Sequence, residues 1–145
     1  MKLPDVNLLL YAYDSRSARH APAREWLQRT LSGTETVAMT WIVLLAFIRL
    51  STRAAVVERP LGVDAAIGLV ESWLAQPCVT VVNPTERHAA LLRQLLLPLG
   101  TAGNLSSDAH LAALAIEHGA MLCSCDSDFS RFSGLRWVDP LREDQ

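Results

Sequence analysis

Short apolar or β-branched runs alternate with longer segments of helical period along the whole of this 145-residue chain. That alternation limits its fold more than any other feature. Strands that alternate with helices imply a parallel sheet covered on both faces. The expectation is an α/β chain with a central parallel sheet of four to five strands. Half of the residues are hydrophobic and 19% are charged, which is enough apolar material for one core and one domain over 1–145.

Leu3 to Val6 reads as the first strand, and Asn7 is placed to cap a helix through Tyr11 and Ala12. Pro4 has no N–H to give to a ladder, so it belongs at a strand end. Ala18 to Leu31 reads as an amphipathic helix with Pro22 in its first turn and Trp26, Leu27 and Leu31 inward, stopped by Ser32 and Gly33. Thr36 to Thr40 is a short second strand. Trp41 to Arg53 contains no Gly, Pro or acid, and its spacing puts Leu45, Ile48 and Thr52 on one face of a largely buried helix that anchors the core or a dimer face.

Val63 to Leu74 repeats apolar residues at helical spacing, and Val79 to Val82 is β-branched enough for a strand. Thr85 then caps a helix to about Leu97, closed by Pro98 and Gly100. Gly100 to Asn104 is a loop, and Ser106 or Ser107 caps a helix over Ala109 to Glu117, with Gly119 past its end. Ala120 to Cys125 is a strand, Phe129 to Phe132 a helical turn, and Leu135 to Val138 the last strand.

Several function classes drop out. The apolar run from Trp41 to Ile48 stops at Arg49, too short to cross a bilayer, and Pro4, Asp5 and Asn7 interrupt any signal-peptide core, so a cytoplasmic protein without membrane contact is expected. Three cysteines in such a chain point to free thiols. Cys123 and Cys125 form only a C-x-C pair, and Cys78, His20, His88, His110 and His118 do not supply zinc spacing. There is no G-x-S-x-G elbow, no phosphate-binding glycine loop, and only Lys2 to serve a phosphatase-like aspartyl nucleophile. The net charge of -2 argues against coating nucleic acid by bulk electrostatics, yet Ser15 to Pro60 carries seven arginines against Glu25, Glu35 and Glu58. A basic rim beside an acidic pocket suits an enzyme that holds a phosphate chain near metals.

The acidic pocket is built from Asp5 after the first strand, Asp108 opening a helix, and Asp126 with Asp128 after a late strand. A carboxylate at such a junction points toward the crevice where parallel sheets bind ligands. Each acid also has an ordinary explanation: an Asx turn for Asp5, complement to the helix dipole for Asp108, turn chemistry for Asp126 and Asp128. The case rests on three separate junctions ending alike. Mg²⁺ prefers oxygen ligands and is held by one or two carboxylates plus phosphate oxygens. Such an ion activates water for in-line displacement at phosphorus. Ser124 falls on the same strand face as Asp126 and could orient water, as could Asn104 and Ser107 beside Asp108. Arg49 and Arg53, four apart on a helix face, could meet phosphate or an acidic partner. His110 and His118 read as packing and helix-end residues.

The segments Asp5-Val6-Asn7-Leu8-Leu9-Leu10-Tyr11-Ala12, Ser107-Asp108-Ala109-His110-Leu111-Ala112-Ala113 and Cys125-Asp126-Ser127-Asp128-Phe129 together resemble the PIN-domain ribonuclease toxins called VapC, in particular their mycobacterial branch. The likeness extends over nearly the whole chain. It implies a PIN-like three-layer α/β/α sandwich, Mg²⁺- or Mn²⁺-dependent endonucleolytic cleavage of RNA such as tRNA or ribosomal RNA, a homodimer, and a cognate VapB-like antitoxin within a type II toxin-antitoxin pair. On that resemblance Asp5, Asp108 and Asp126 match the acidic metal site, with Asp128 nearby. One departure matters. The family commonly carries a Glu on its third helix, where this chain has Ala46, and no acid occurs from Thr36 to Val57. That favours a single-metal mechanism, or Asp128 as a substitute carboxylate. The alternatives are a catalytically weakened PIN fold that binds RNA or an antitoxin, and a DNA nuclease of the same fold.

Overall fold

The computed structural model describes residues 1–142. Its elements run β1 (Lys2–Pro4), α1 (Val6–Tyr13), α2 (His20–Ser32), β2 (Val37–Met39), α3 (Trp41–Ser51), α4 (Val63–Leu74), β3 (Val79–Val81), α5 (His88–Leu96), α6 (Ser106–Glu117), β4 (Met121–Cys123) and β5 (Trp137–Val138). Short 3-10 turns occupy Leu97–Leu99, Gly103–Leu105 and Ser127–Arg131. The five strands form one sheet in the order β3-β2-β1-β4-β5, and every pair is parallel.

β1 lies at the centre, with Lys2 beside Val37 on one side and Met121 on the other. The chain leaves β1 toward β2 and β3, then returns to β4 on the opposite side. The carboxyl ends of β1 and β4 therefore flank the point where strand order reverses, which is where open α/β sheets offer a crevice. Pro4 ends β1, so its missing N–H falls where the ladder stops; the next amide, Asp5 N–H, donates to the Cys123 carbonyl at 2.9 Å.

Successive strand residues face opposite sides of a sheet. Val37, Ala38 and Met39 are nevertheless all fully buried, so both faces are covered. α1 packs on α2 and α3, α3 on α4, and α5 on α6, completing the three-layer sandwich expected from the sequence. Phe47 of α3 meets Trp73 of α4 edge to face, ring centroids 4.7 Å apart. That geometry adds about 1 kcal/mol to the burial of both rings.

α5 and α6 are also joined by a polar chain. His88 Nδ1 lies 2.8 Å from a Glu117 oxygen, and His88 Nε2 lies 2.8 Å from His110 Nδ1. The Glu117 side chain is fully buried and accepts hydrogen bonds from both the amide and the hydroxyl of Thr85. These bonds hold its carboxyl below the usual range despite burial. His110 thus packs, as expected, and His118 Nε2 bonds the Asn83 carbonyl at the helix end.

Several local expectations change. Asp5, not Asn7, caps α1: its carboxylate accepts the Val6 amide at 2.8 Å, and Asn7 lies inside the helix. α5 begins at His88, with Thr85 in the turn before it, where its hydroxyl accepts the Arg87 amide. α6 begins at Ser106 because the turn over Gly103–Leu105 runs straight into it, so neither serine caps. On α3 the buried residues are Val43, Leu44, Phe47 and Ser51; Leu45 is 59% exposed. Among the described residues no helix is long and apolar enough to cross a membrane, and all three cysteines are free.

Candidate active site

Ser124 follows β4 at the switch point, is fully buried, and joins the first and last acidic segments. Its hydroxyl donates to Asp5 Oδ2 at 2.8 Å and accepts from Asn7 Nδ2 and from the Asp126 amide, each at 3.0 Å. Both lone pairs and the proton are used, so the group has one orientation. Asn7 also donates to Asp5 Oδ2 at 3.4 Å and accepts the Cys125 amide. The Asp126 carboxylate accepts the Asp128 amide at 2.9 Å, which fixes the turn over Ser127–Arg131, and Phe129 buries that turn against the core.

Asp108 reaches the same place from the other direction, on the first turn of α6. Burial, followed by the charges of Asp126, Asp5 and Asp128, raises its carboxyl to about 6. The charges of three carboxylates from two other segments therefore reach Asp108. Burial also raises Asp5, against the hydrogen bonds from Ser124 and Val6.

Asp5 and Asp108 line a cavity of about 530 Å³. Val6, Ile42, Val43, Leu45, Ala46 and Leu111 form its apolar wall, and Ser107 and Arg49 its remaining polar lining. Ala46 lines this wall, and α3 brings no acid to it.

Among the described residues none of the four aspartates has a salt-bridge partner. Crowded carboxylates that are not taken up in ion pairs suit a hard divalent ion. No three His, Cys, Asp or Glu side chains among the described residues close into a ready-made cage.

The other sequence candidates divide. Ser107 and Arg49 line the cavity. Asn104 sits in the turn before α6 and does not line it, and Arg53 lies past the end of α3, so it does not share a helix face with Arg49. Sequence reasoning missed the part played by Asn7, whose side chain ties Asp5 to the β4 loop. The signal was the Asp-x-Asn start read together with Ser124, two residues from Asp126.

The PIN domain family matches residues 2–135. Ribonuclease VapC37 of Mycobacterium tuberculosis is 51% identical over 140 residues, covering 97% of each chain. Ribonuclease VapC33 of the same organism is 43% identical and covers 99% of this chain and 100% of its own. Among solved structures, VapBC-1 from nontypeable Haemophilus influenzae superimposes with a TM-score of 0.68 at 20% identity, covering 97% and 98% of the two chains. Mycobacterium tuberculosis VapC20, described as a Sarcin-Ricin loop cleaving toxin, gives 0.63 at 22% identity, covering 94% of this chain and 99% of its own. These two share the fold. With the sequence matches over almost the full length, this chain belongs to the PIN-domain family of VapC ribonucleases.

Proposed function

We propose that the protein is the toxin of a type II toxin-antitoxin pair, a Mg²⁺-dependent endoribonuclease that cuts structured RNA, with Mn²⁺ able to substitute. The observation that supports this most is Asp5 and Asp108 on one cavity wall, with Asp126 tied to Asp5 through the Ser124 hydroxyl and none of the three in an ion pair among the described residues. Asp5 and Asp108 would hold the ion, Asp126 directly or through water, and Asp128 adds charge at the rim. When bound, Mg²⁺ supplies Lewis acidity that eases loss of a proton from water and steadies charge building on phosphate oxygens. The chain's own residues do the positioning. Ser124 and Asn7 fix Asp5 Oδ2, and Arg49 offers a guanidinium to the phosphate.

Relatives named as ribonucleases support RNA as substrate. A VapB-like antitoxin as partner is supported by structural neighbours described as VapBC, and a homodimer is carried over from the family resemblance. Brief induction in cells followed by 5′-end mapping of RNA tests the reading. Discrete new ends that vanish with Asp5→Asn are expected; identical ends with both proteins would reject it.

Ala46 favours one second reading, a catalytically weakened PIN fold that sequesters RNA or an antitoxin. RNA binding unchanged by EDTA, with no cleavage under Mg²⁺ or Mn²⁺, would select it.

A further inference from the structure

The outer face of α3 is left unused by both the core and the acidic centre. Trp41, Leu45 and Arg49 recur every fourth residue and so lie in one stripe. Trp41 is 47% exposed and Leu45 59%, values that burial in this chain does not explain. Leu45 and Arg49 also line the cavity that holds Asp5 and Asp108, so the stripe runs to the edge of the candidate active site. Among the described residues Arg49 has no ion-pair partner, and Arg53 beyond the helix end has none either.

The geometry points to this stripe as a stacking platform for unpaired nucleotides next to the scissile phosphate. The inference rests on the RNA-cleaving reading above and assigns the side chains that would grip the nucleotides beside the cut. Bases splayed from a loop stack on aromatic side chains and on guanidinium planes, while cations hold the backbone. An exposed indole, an aliphatic step and a free guanidinium, in that order, match such a ligand. Charge complementarity decides the occupant. No carboxylate occurs between Thr36 and Val57, so a polyanion meets no repulsion along this helix. Trp41 would carry one base, Leu45 would cover the apolar wall beneath the next, and Arg49 would take the phosphate between them and the acidic centre.

The test uses Asp5→Asn protein, which on the reading above binds without cutting, and a fluorescently labelled single-stranded RNA of mixed sequence read by anisotropy. Trp41→Ala is expected to weaken binding ~5- to 100-fold and Trp41→Phe by about 2-fold or less, because a base still stacks on phenylalanine. The same RNA annealed into a duplex is expected to bind more weakly. Wild-type cleavage is measured alongside. If wild type cuts RNA while Trp41→Ala and Leu45→Gln bind the single strand unchanged, the platform is wrong and the enzyme stands. If wild type neither binds nor cuts RNA, the functional reading itself fails. If sedimentation shows that Trp41→Ala and Trp41→Phe both lose RNA only by turning a dimer into monomers, the face is an interface between copies, and the platform is overturned.

Discussion

The Ser124 hydroxyl donates to Asp5 Oδ2 across 2.8 Å, joining residues 119 positions apart in the chain at the carboxyl edge of the sheet. Asp5 Oδ1 accepts the Val6 amide at 2.8 Å, so both carboxylate oxygens are held in place by the chain. Replacing Ser124 with Ala removes the Ser124–Asp5 bond, leaves the Asp126 N–H without its acceptor, and leaves the Asn7 amide only its 3.4 Å bond to Asp5 Oδ2. We expect Ser124→Ala to lower stability by about 1–3 kcal/mol, from denaturant melts, and to weaken Mn²⁺ binding ~10- to 100-fold by calorimetry. Ser124→Thr, which keeps the hydroxyl, should restore most of both. Unchanged Mn²⁺ affinity in Ser124→Ala would show that the bond is only structural.

Asp108 gives a pH dependence with a defined sign. Its carboxyl is raised from 3.8 to about 6, so the folded protein holds that proton more tightly than the unfolded chain. Its contribution to metal-free stability is therefore full below about pH 4 and is lost as pH rises through 6. Asp108→Asn should stabilise the metal-free protein at pH 7 by ~1 kcal/mol, after discounting for solvent screening. Cation binding needs the ionised form, so Mg²⁺ affinity should fall as pH drops through 6. Thermal melts across pH 4–8 with and without Mg²⁺ check both signs.

Glu117 has the opposite sign. Its carboxyl is held below the usual range by Thr85 and His88, so the stability it provides is present above pH 4.5, the ordinary value, and fades as pH falls below it. Glu117→Ala should cost about 1–3 kcal/mol at pH 7, because it strands the Thr85 amide and hydroxyl and His88. The cost should shrink in acid. RNA cleavage per folded molecule should be unaffected, which separates this staple from the acidic centre.

Ala46 tests the metal count. It lines the cavity with Asp5 and Asp108, so Ala46→Glu would add a carboxylate where α3 has none. The expected result is a metal-free protein less stable at pH 7 and a Mn²⁺ stoichiometry raised from one to two by calorimetry. Two Mn²⁺ ions bound by the unaltered chain would remove the single-metal account.

The parts of the fold that could be read from the chain are those where one physical rule acts alone. Alternating β-type and helical segments gave a parallel sheet, and Asp5 and Asp126 were placed because strand ends in such sheets converge. Competing rules hid the rest. α3 is apolar nearly all round, so periodicity could not tell the buried Phe47 side from the exposed Leu45 side. Asp5 and Asn7 can each cap a helix, and the chain turns at the first of them. The 3-10 turn over Gly103–Leu105 feeds α6 without a break, which drew Ser106 and Ser107 into the helix. Arg53 was placed on α3 because nothing in Ser51 or Thr52 announces the stop. The link from Asn7 through Ser124 to Asp126 depends on tertiary contacts that no local pattern encodes.

The central claim is that these aspartates hold a cation that drives RNA cleavage. Its most direct test is cleavage of a structured RNA by purified wild type and Asp5→Asn, each with Mg²⁺ and with excess EDTA, after equal folding is shown by circular dichroism. The account predicts cutting only by wild type with Mg²⁺. Equal cutting by the two proteins, or cutting that persists in EDTA, would contradict it.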